Sequence, residues 1–143
     1  MENLLISACL LGIPCRYDGR SVKAVDAEDL RQKYNLIPVC PEIYGGLSTP
    51  RTPSERQGEK TMMKDGTDVT ENYKRGAEAA YELCIQLGCK KALLKEKSPS
   101  CGNGKIYDGT FSGTLTVGDG VTTEYLKSKG IEVFGESEID KLL

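Results

Sequence analysis

At 143 residues the chain suits one ordinary domain, long enough to withdraw about two-thirds of its unfolded surface from water without disulfide staples. Lysine and arginine number 19 against 21 acidic residues, and the formal charge of −2 excludes a global electrostatic pull toward nucleic acid or anionic lipid. Histidine is absent, which removes Ser-His-Asp and Cys-His arrangements, histidine zinc sites and the usual neutral-pH proton shuttle.

The first apolar run, LLISACLLG (4–12), is too short for a surface helix and ends in glycine, so it predicts a strand up to about Ser7, with Cys9 just beyond its end. No stretch approaches the roughly 20 apolar residues that span a bilayer, and the amino terminus lacks a basic lead-in. The expected setting is soluble and cytoplasmic. DAEDLRQKYN (26–35) predicts a short helix, with Asp26 as N-cap, Asp29 in the first turn and basic residues near the end. NLIPVCPE then predicts a second strand that exits at Cys40 and Pro41.

Residues 43–70, rich in Gly, Pro, Ser, Thr and charge, predict a long irregular connection with a small hairpin at Lys64-Asp65-Gly66. A long helix follows. Asp68 and Glu71 form a capping-box-like start, and Tyr73, Ala77, Ala80, Cys84 and Leu87 recur at spacings of three and four before Gly88. CKKALLKEKS (89–98) predicts a strand running into SPSCG, which makes Cys101 a third thiol just past a strand. The glycine-rich tract GKIYDGTFSGTLTVGDG reads as loop and short hairpin, Thr122 to Lys129 as a helix, IEVFG as a last strand and ESEIDKLL as a terminal helical turn.

Alternating strands and helices imply an α/β fold: one domain over 1–143, with an open, mostly parallel sheet and helices on both faces in a Rossmann-like three-layer arrangement. In such a sheet the carboxyl ends of the strands share one edge, where ligand crevices form at switches of strand order. Adjacent strands lie about 5 Å apart, so Cys9, Cys40 and Cys101 at three strand exits can surround one cluster-sized object. Six cysteines without an export signal read as metal-binding, catalytic or buried thiols. Three thiolates with no histidine suit a soft metal centre of the iron–sulfur kind. Packing is the alternative use of any one of them, and it is the reading for Cys84 and Cys89, on and just past the apolar stripe of the long helix.

Three ordered motifs carry a resemblance. They are Ser7-Ala8-Cys9-Leu10-Leu11-Gly12 with Cys15-Arg16-Tyr17-Asp18-Gly19, Cys40-Pro41-Glu42 with Gly45-Gly46-Leu47 and Pro50-Arg51, and Lys97-Ser98-Pro99-Ser100-Cys101-Gly102. Over nearly its whole length the chain resembles the thiouracil desulfurase family. The resemblance implies an oxygen-sensitive [4Fe-4S] cluster held by Cys9, Cys40 and Cys101, and an open iron that captures sulfur from a thiolated pyrimidine, leaving the oxo product. On that reading Glu42 activates water or moves protons, and Ser98 orients substrate or relays a proton; each has an ordinary loop role as its alternative. Arg16, Asp18, Arg51 and Ser100 are candidates for substrate binding, with local salt bridges and turns as the other use of Arg16, Asp18 and Arg51. Cys15, six residues after Cys9, is an alternative fourth ligand.

The resemblance implies a small thiolated base or nucleoside as partner. Members that act on thiolated transfer RNA carry an extra domain not found here, so nucleic acid is disfavoured without thiolated RNA being excluded; oligomeric state is not legible. Two rival classes use the same residues differently: a metal or redox sensor without turnover, and a cluster-free module binding anions at helix starts. No GxGxxG or GxxxxGK[ST] supports the latter.

Overall fold

The structure, a computed structural model, describes residues 1–20 and 25–143. Four strands form its main sheet: β1 (Glu2–Ser7), β2 (Tyr34–Val39), β5 (Lys91–Leu94) and β8 (Glu132–Gly135). Their order is β2-β1-β5-β8, and every pairing is parallel. Position in that order explains the sequences. The central strands are buried on both faces, and ENLLIS and KALL accordingly read as apolar runs rather than alternations. The edge strand β2 tolerates Pro38, which has no N–H for a second partner.

Helices cover both faces, as expected. One layer holds α3 (Thr70–Leu87) and α4 (Val121–Ser128), whose Ala80, Cys84 and Leu126 pack with Leu5, Ala92 and Leu94. The other holds α1 (Glu28–Lys33) and the 3-10 turn Glu136–Lys141, where Leu30 and Leu142 pack with Leu4, Ile6 and Leu93. Completely buried leucines and isoleucines such as Leu4, Leu5, Ile6 and Leu93 each contribute roughly 1.5–3 kcal/mol of apolar burial.

Several local expectations shift. Ala27 rather than Asp26 occupies the N-cap of α1, while Asp26 accepts the Glu28 N–H at 3.1 Å. At the start of α3, Asp68 accepts the Thr70 N–H at 2.9 Å, and no side-chain cap reaches back from Glu71. Leu87 is 40% exposed because the inward stripe ends at Cys84. The expected small turn at Lys64-Asp65-Gly66 is present, closed by the antiparallel bridge Met62–Asp68 with the Met63 N–H donating to Thr67 O at 2.8 Å, and just before it a longer hairpin, β3 (Ser54–Gln57) and β4 (Lys60–Met63), turns at left-handed Gly58 (φ 64). A second small hairpin pairs β6 (Lys105–Tyr107) with β7 (Leu115–Val117).

From β1 the chain passes to β2 on one side, then crosses through α3 to β5 on the other. The order therefore reverses between β1 and β5, and a crevice forms beyond their carboxyl ends.

Candidate functional site

A cleft of about 560 Å³ opens at that edge, lined by Cys9, Cys15, Cys40 and Cys101. Three different local devices aim these thiols. After β1 the chain makes one 3-10 turn, Ala8–Leu11, closed by Gly12 in the left-handed region (φ 90), and Cys9 lies within it. After β2, Cys40 stays extended and Pro41 opens the short helix α2 (Pro41–Tyr44) at a position that needs no N–H donor.

Cys101 is fixed most heavily. Ser98 Oγ accepts the N–H groups of Ser100 at 3.1 Å and Cys101 at 2.9 Å, closing the SPSCG turn. Helix α4 then locks that turn: the N–H of Val121 donates to Pro99 O and that of Thr122 to Ser100 O, both at 2.8 Å. Thr123 Oγ1 donates to Cys101 O at 2.8 Å. The first amides of α4, which lack partners inside the helix, are thereby satisfied by the turn carrying the thiol.

The thiols sense one another. Cys40 is raised well above the ordinary thiol range by its hydrogen bond with Cys15 and then by burial. Cys15 is raised on balance; its hydrogen bond with Cys40 lowers it, but that with Cys9 and burial outweigh this. Burial pushes Cys101 up to about 12, with Cys40 and Glu42 adding to the rise and the Ser7 and Ser100 hydroxyls opposing it. These groups therefore share one site, and bound iron would take the place of the thiol protons. Among the described residues no three His, Cys, Asp or Glu side chains close on a single-ion position. A multi-iron cluster assigns its cysteines to separate irons, so an all-sulfur donor set spread around one cleft fits it.

Beside the thiols stands a braced carboxylate. Glu42 Oε1 accepts from Arg51 Nε at 3.2 Å and from Tyr73 Oη at 2.8 Å. Burial, then the nearby Glu42 charge, raise the Tyr73 phenol far above its usual range, so it is a lasting donor. Helices α2 and α3 approach closely enough to make this contact because glycines face them. A Cβ at Gly76 would stand 2.0 Å from Pro41 O, and one at Gly45 2.0 Å from Asn72 O.

The remaining expected residues divide. Arg16 lines the cleft with its guanidinium 6.0 Å from the Tyr17 ring centre, and no ion pair or hydrogen bond of that guanidinium is found among the described residues. Arg51 also lines the cleft, but four hydrogen bonds commit it to Glu42, Ser48 O, Thr49 Oγ1 and Cys15 O. Ser100 does not line the cleft, contrary to expectation, and neither does Asp18, which takes the local-turn role that was its alternative. Asp18 is exposed and closes its own turn by accepting the Arg20 N–H at 3.0 Å. Ser100 is 1% exposed and bonds Thr122 Oγ1 at 2.8 Å inside the α4 clamp.

Sequence reasoning passed over Ser7, Tyr73, Glu55, Tyr107 and Phe111. Ser7 ends β1, is 2% exposed and accepts the Lys95 N–H at 2.9 Å, joining the two strands that flank the crevice. Tyr73 sat on an apolar stripe, where nothing marked its hydroxyl. Glu55, Tyr107 and Phe111 line the cleft from the two small hairpins. Alternation along SERQ, once read as a strand, is the signal that would have turned Glu55 inward.

Residues 4–138 match the family model for 2-thiouracil desulfurase. The chain belongs to that family. A curated relative, the uncharacterized protein YbbK of Bacillus subtilis (strain 168), is 39% identical over 150 residues, covering 98% of this chain and 99% of its own length. A solved structure described as a [4Fe-4S]-dependent thiouracil desulfidase, TudS, is 48% identical and matches with a TM-score of 0.95 over 99% of this chain and 95% of that one. Together they bear out the expected family, the α/β fold and the class of activity, an iron–sulfur-dependent desulfurase of thiolated pyrimidines. No helix among the described residues is long and apolar enough to cross a membrane.

Proposed function

We propose that the protein hydrolyses a 2-thiouracil-like base or nucleoside to its oxo form, with Cys9, Cys40 and Cys101 as the three ligands of a [4Fe-4S] cluster. The observation that carries this reading is that three strand-exit thiols and the braced carboxylate Glu42 line one cleft at the sheet's switch point. In balance, water adds to the thiocarbonyl carbon, the C–S bond breaks, and sulfur leaves as sulfide. The bound cluster supplies a thiophilic Lewis acid that polarises that bond.

The protein's own groups handle position and protons. Glu42 Oε1 is held by Tyr73 and Arg51, while Oε2 accepts no hydrogen bond among the described residues. Oε2 is therefore the atom assigned to take the proton of the attacking water. Ser98 Oγ already accepts two backbone N–H groups, so its remaining use is as a donor to a heteroatom of the pyrimidine. Arg16 offers N–H donors in the cleft wall that have no partner among the described residues, whereas Arg51 braces Glu42 and the Cys15 loop.

A cleft of about 560 Å³ suits a base or nucleoside better than a folded RNA. Six unpaired thiols suit a reducing, cytoplasmic setting, with the chain acting as one domain over 1–143. The deciding experiment is iron and acid-labile sulfide per chain after anaerobic reconstitution, followed by conversion of 2-thiouracil to uracil with release of sulfide. About four irons and turnover are expected. A full cluster without turnover would favour a sensor, and an iron-free protein would return the thiols to packing.

A further inference from the structure

One part of the cleft wall is built around an unusual residue. Phe111 has a φ of 56, in the left-handed region that bulky side chains rarely adopt, and it lines the cleft. Strain of this sort persists only where the surroundings over-determine it, and it gathers at ligand-binding positions. The surroundings are explicit. Glu55, 9% exposed on β3, accepts the Gly109 N–H at 2.9 Å and the Phe111 N–H at 3.2 Å with one carboxylate oxygen. Two residues along the strand, Gln57 Nε2 donates to Gly109 O at 2.8 Å. A Cβ at Gly109 would stand 2.8 Å from Gln57 Cγ, so the loop sits directly on β3.

Two hairpins are thus joined by a buried carboxylate whose bonds among the described residues both hold the Gly109–Phe111 loop in place. Resting on the desulfurase reading, we propose that Phe111 is the stacking face for the pyrimidine ring and that Glu55 is the positioning residue that presents it. A flat heterocycle must keep its C2 sulfur toward the thiols and its edge toward Ser98 and Arg16. An aromatic face fixes the plane of the ring while leaving its polar edge free for those donors. Phe111 suits this role better than Tyr17, which is 41% exposed and lies beside the Arg16 guanidinium. Fixing the ring before water attacks is a contribution to binding and orientation, so its loss raises KM more than it lowers kcat.

The test uses anaerobically reconstituted protein and two probes, 2-thiouracil for turnover and uracil for equilibrium binding. Phe111→Asn keeps a residue tolerant of the left-handed region and removes the ring. It should raise KM for 2-thiouracil and Kd for uracil at least tenfold, with kcat within about threefold and iron per chain unchanged. Phe111→Tyr should bind like the wild type. Glu55→Ala should reproduce the KM and Kd losses, while Glu55→Gln, whose carbonyl oxygen still accepts both N–H groups, should restore them. Unchanged KM and Kd in Phe111→Asn overturn the proposal, as does a loss confined to kcat or iron content. A wild type that binds uracil but does not turn over 2-thiouracil refutes the desulfurase reading alone, and the uracil affinities of the four variants still decide the role of Phe111.

Discussion

Five of the cysteines form two groups at opposite edges of one sheet. Cys9, Cys40 and Cys101 follow strands β1, β2 and β5 at the carboxyl edge and line the cleft. Cys84 and Cys89 lie at the end of α3 and just before β5, at the amino edge, packed among Leu5, Ala92 and Leu94. Burial does not separate the groups, because Cys101 is 5% exposed and Cys84 and Cys89 are each 3% exposed. Nor does acidity: burial pushes both Cys84 and Cys101 up to about 12. What separates them is the edge of the sheet at which they lie, since only the carboxyl edge opens at a reversal of strand order.

The sharpest way to break this comparison is to mutate both groups. Cys9→Ser, Cys40→Ser and Cys101→Ser should each abolish 2-thiouracil turnover and cut iron per reconstituted chain to less than half. Cys84→Ala and Cys89→Ala should retain full iron and activity, each costing about 1 kcal/mol in denaturant unfolding for the lost apolar contact. Iron loss in either alanine variant, or full turnover in any of the serine variants, would show that strand position does not sort the thiols.

Within the cleft, Glu42→Gln should keep the cluster and lower kcat about 10²- to 10⁴-fold, the range for loss of a general base. Gly76→Ala should reach the same carboxylate from behind. The added Cβ has no room beside Pro41 O, so α2 must move away from α3 and carry Glu42 with it. A kcat drop of about 100-fold with iron retained is expected, together with roughly 1–3 kcal/mol of destabilisation from overpacking. Unaltered kcat in Gly76→Ala would mean that the carboxylate does not depend on the close approach of the two helices.

The same contrast governs what could be read from the sequence. Apolar runs and their glycine or proline stops marked all four main strands, and strand exits are sequence positions, so Cys9, Cys40 and Cys101 could be grouped before any geometry was known. Residues acting through long-range contacts were not legible. Of the two uses expected for Arg51, substrate contact and local bonding, its bonds to Glu42, Thr49 and Ser48 show the local one, while the fourth, to Cys15 O 36 residues away, had no signal in the sequence. Ser100 lies in a cysteine motif, but its hydroxyl serves Thr122 on α4. Glu55 and Phe111 are brought together across 56 residues; the short hairpin in the glycine-rich tract was legible, but nothing in either segment marked the contact between the two hairpins.

Cys15 gives the smallest expected effect and the finest cut through the comparison. It stands at the carboxyl edge with the three proposed ligands, and the neighbouring Cys9 and Cys40 thiols shift its acidity, so edge position alone would make it a fourth. Its firm contacts, however, are made by its backbone: Arg51 Nη2 donates to Cys15 O at 3.0 Å, and Cys40 Sγ approaches the same oxygen at 3.8 Å. It also follows Ile13 and Pro14 in a loop rather than leaving a strand. Serine preserves every backbone contact and most of the volume while removing the soft ligand. Cys15→Ser should therefore hold about four irons per chain and keep kcat within about threefold of the wild type. Loss of iron in this variant as well as in the other three would give the cluster four protein thiolates and leave no iron open to the sulfur of the substrate.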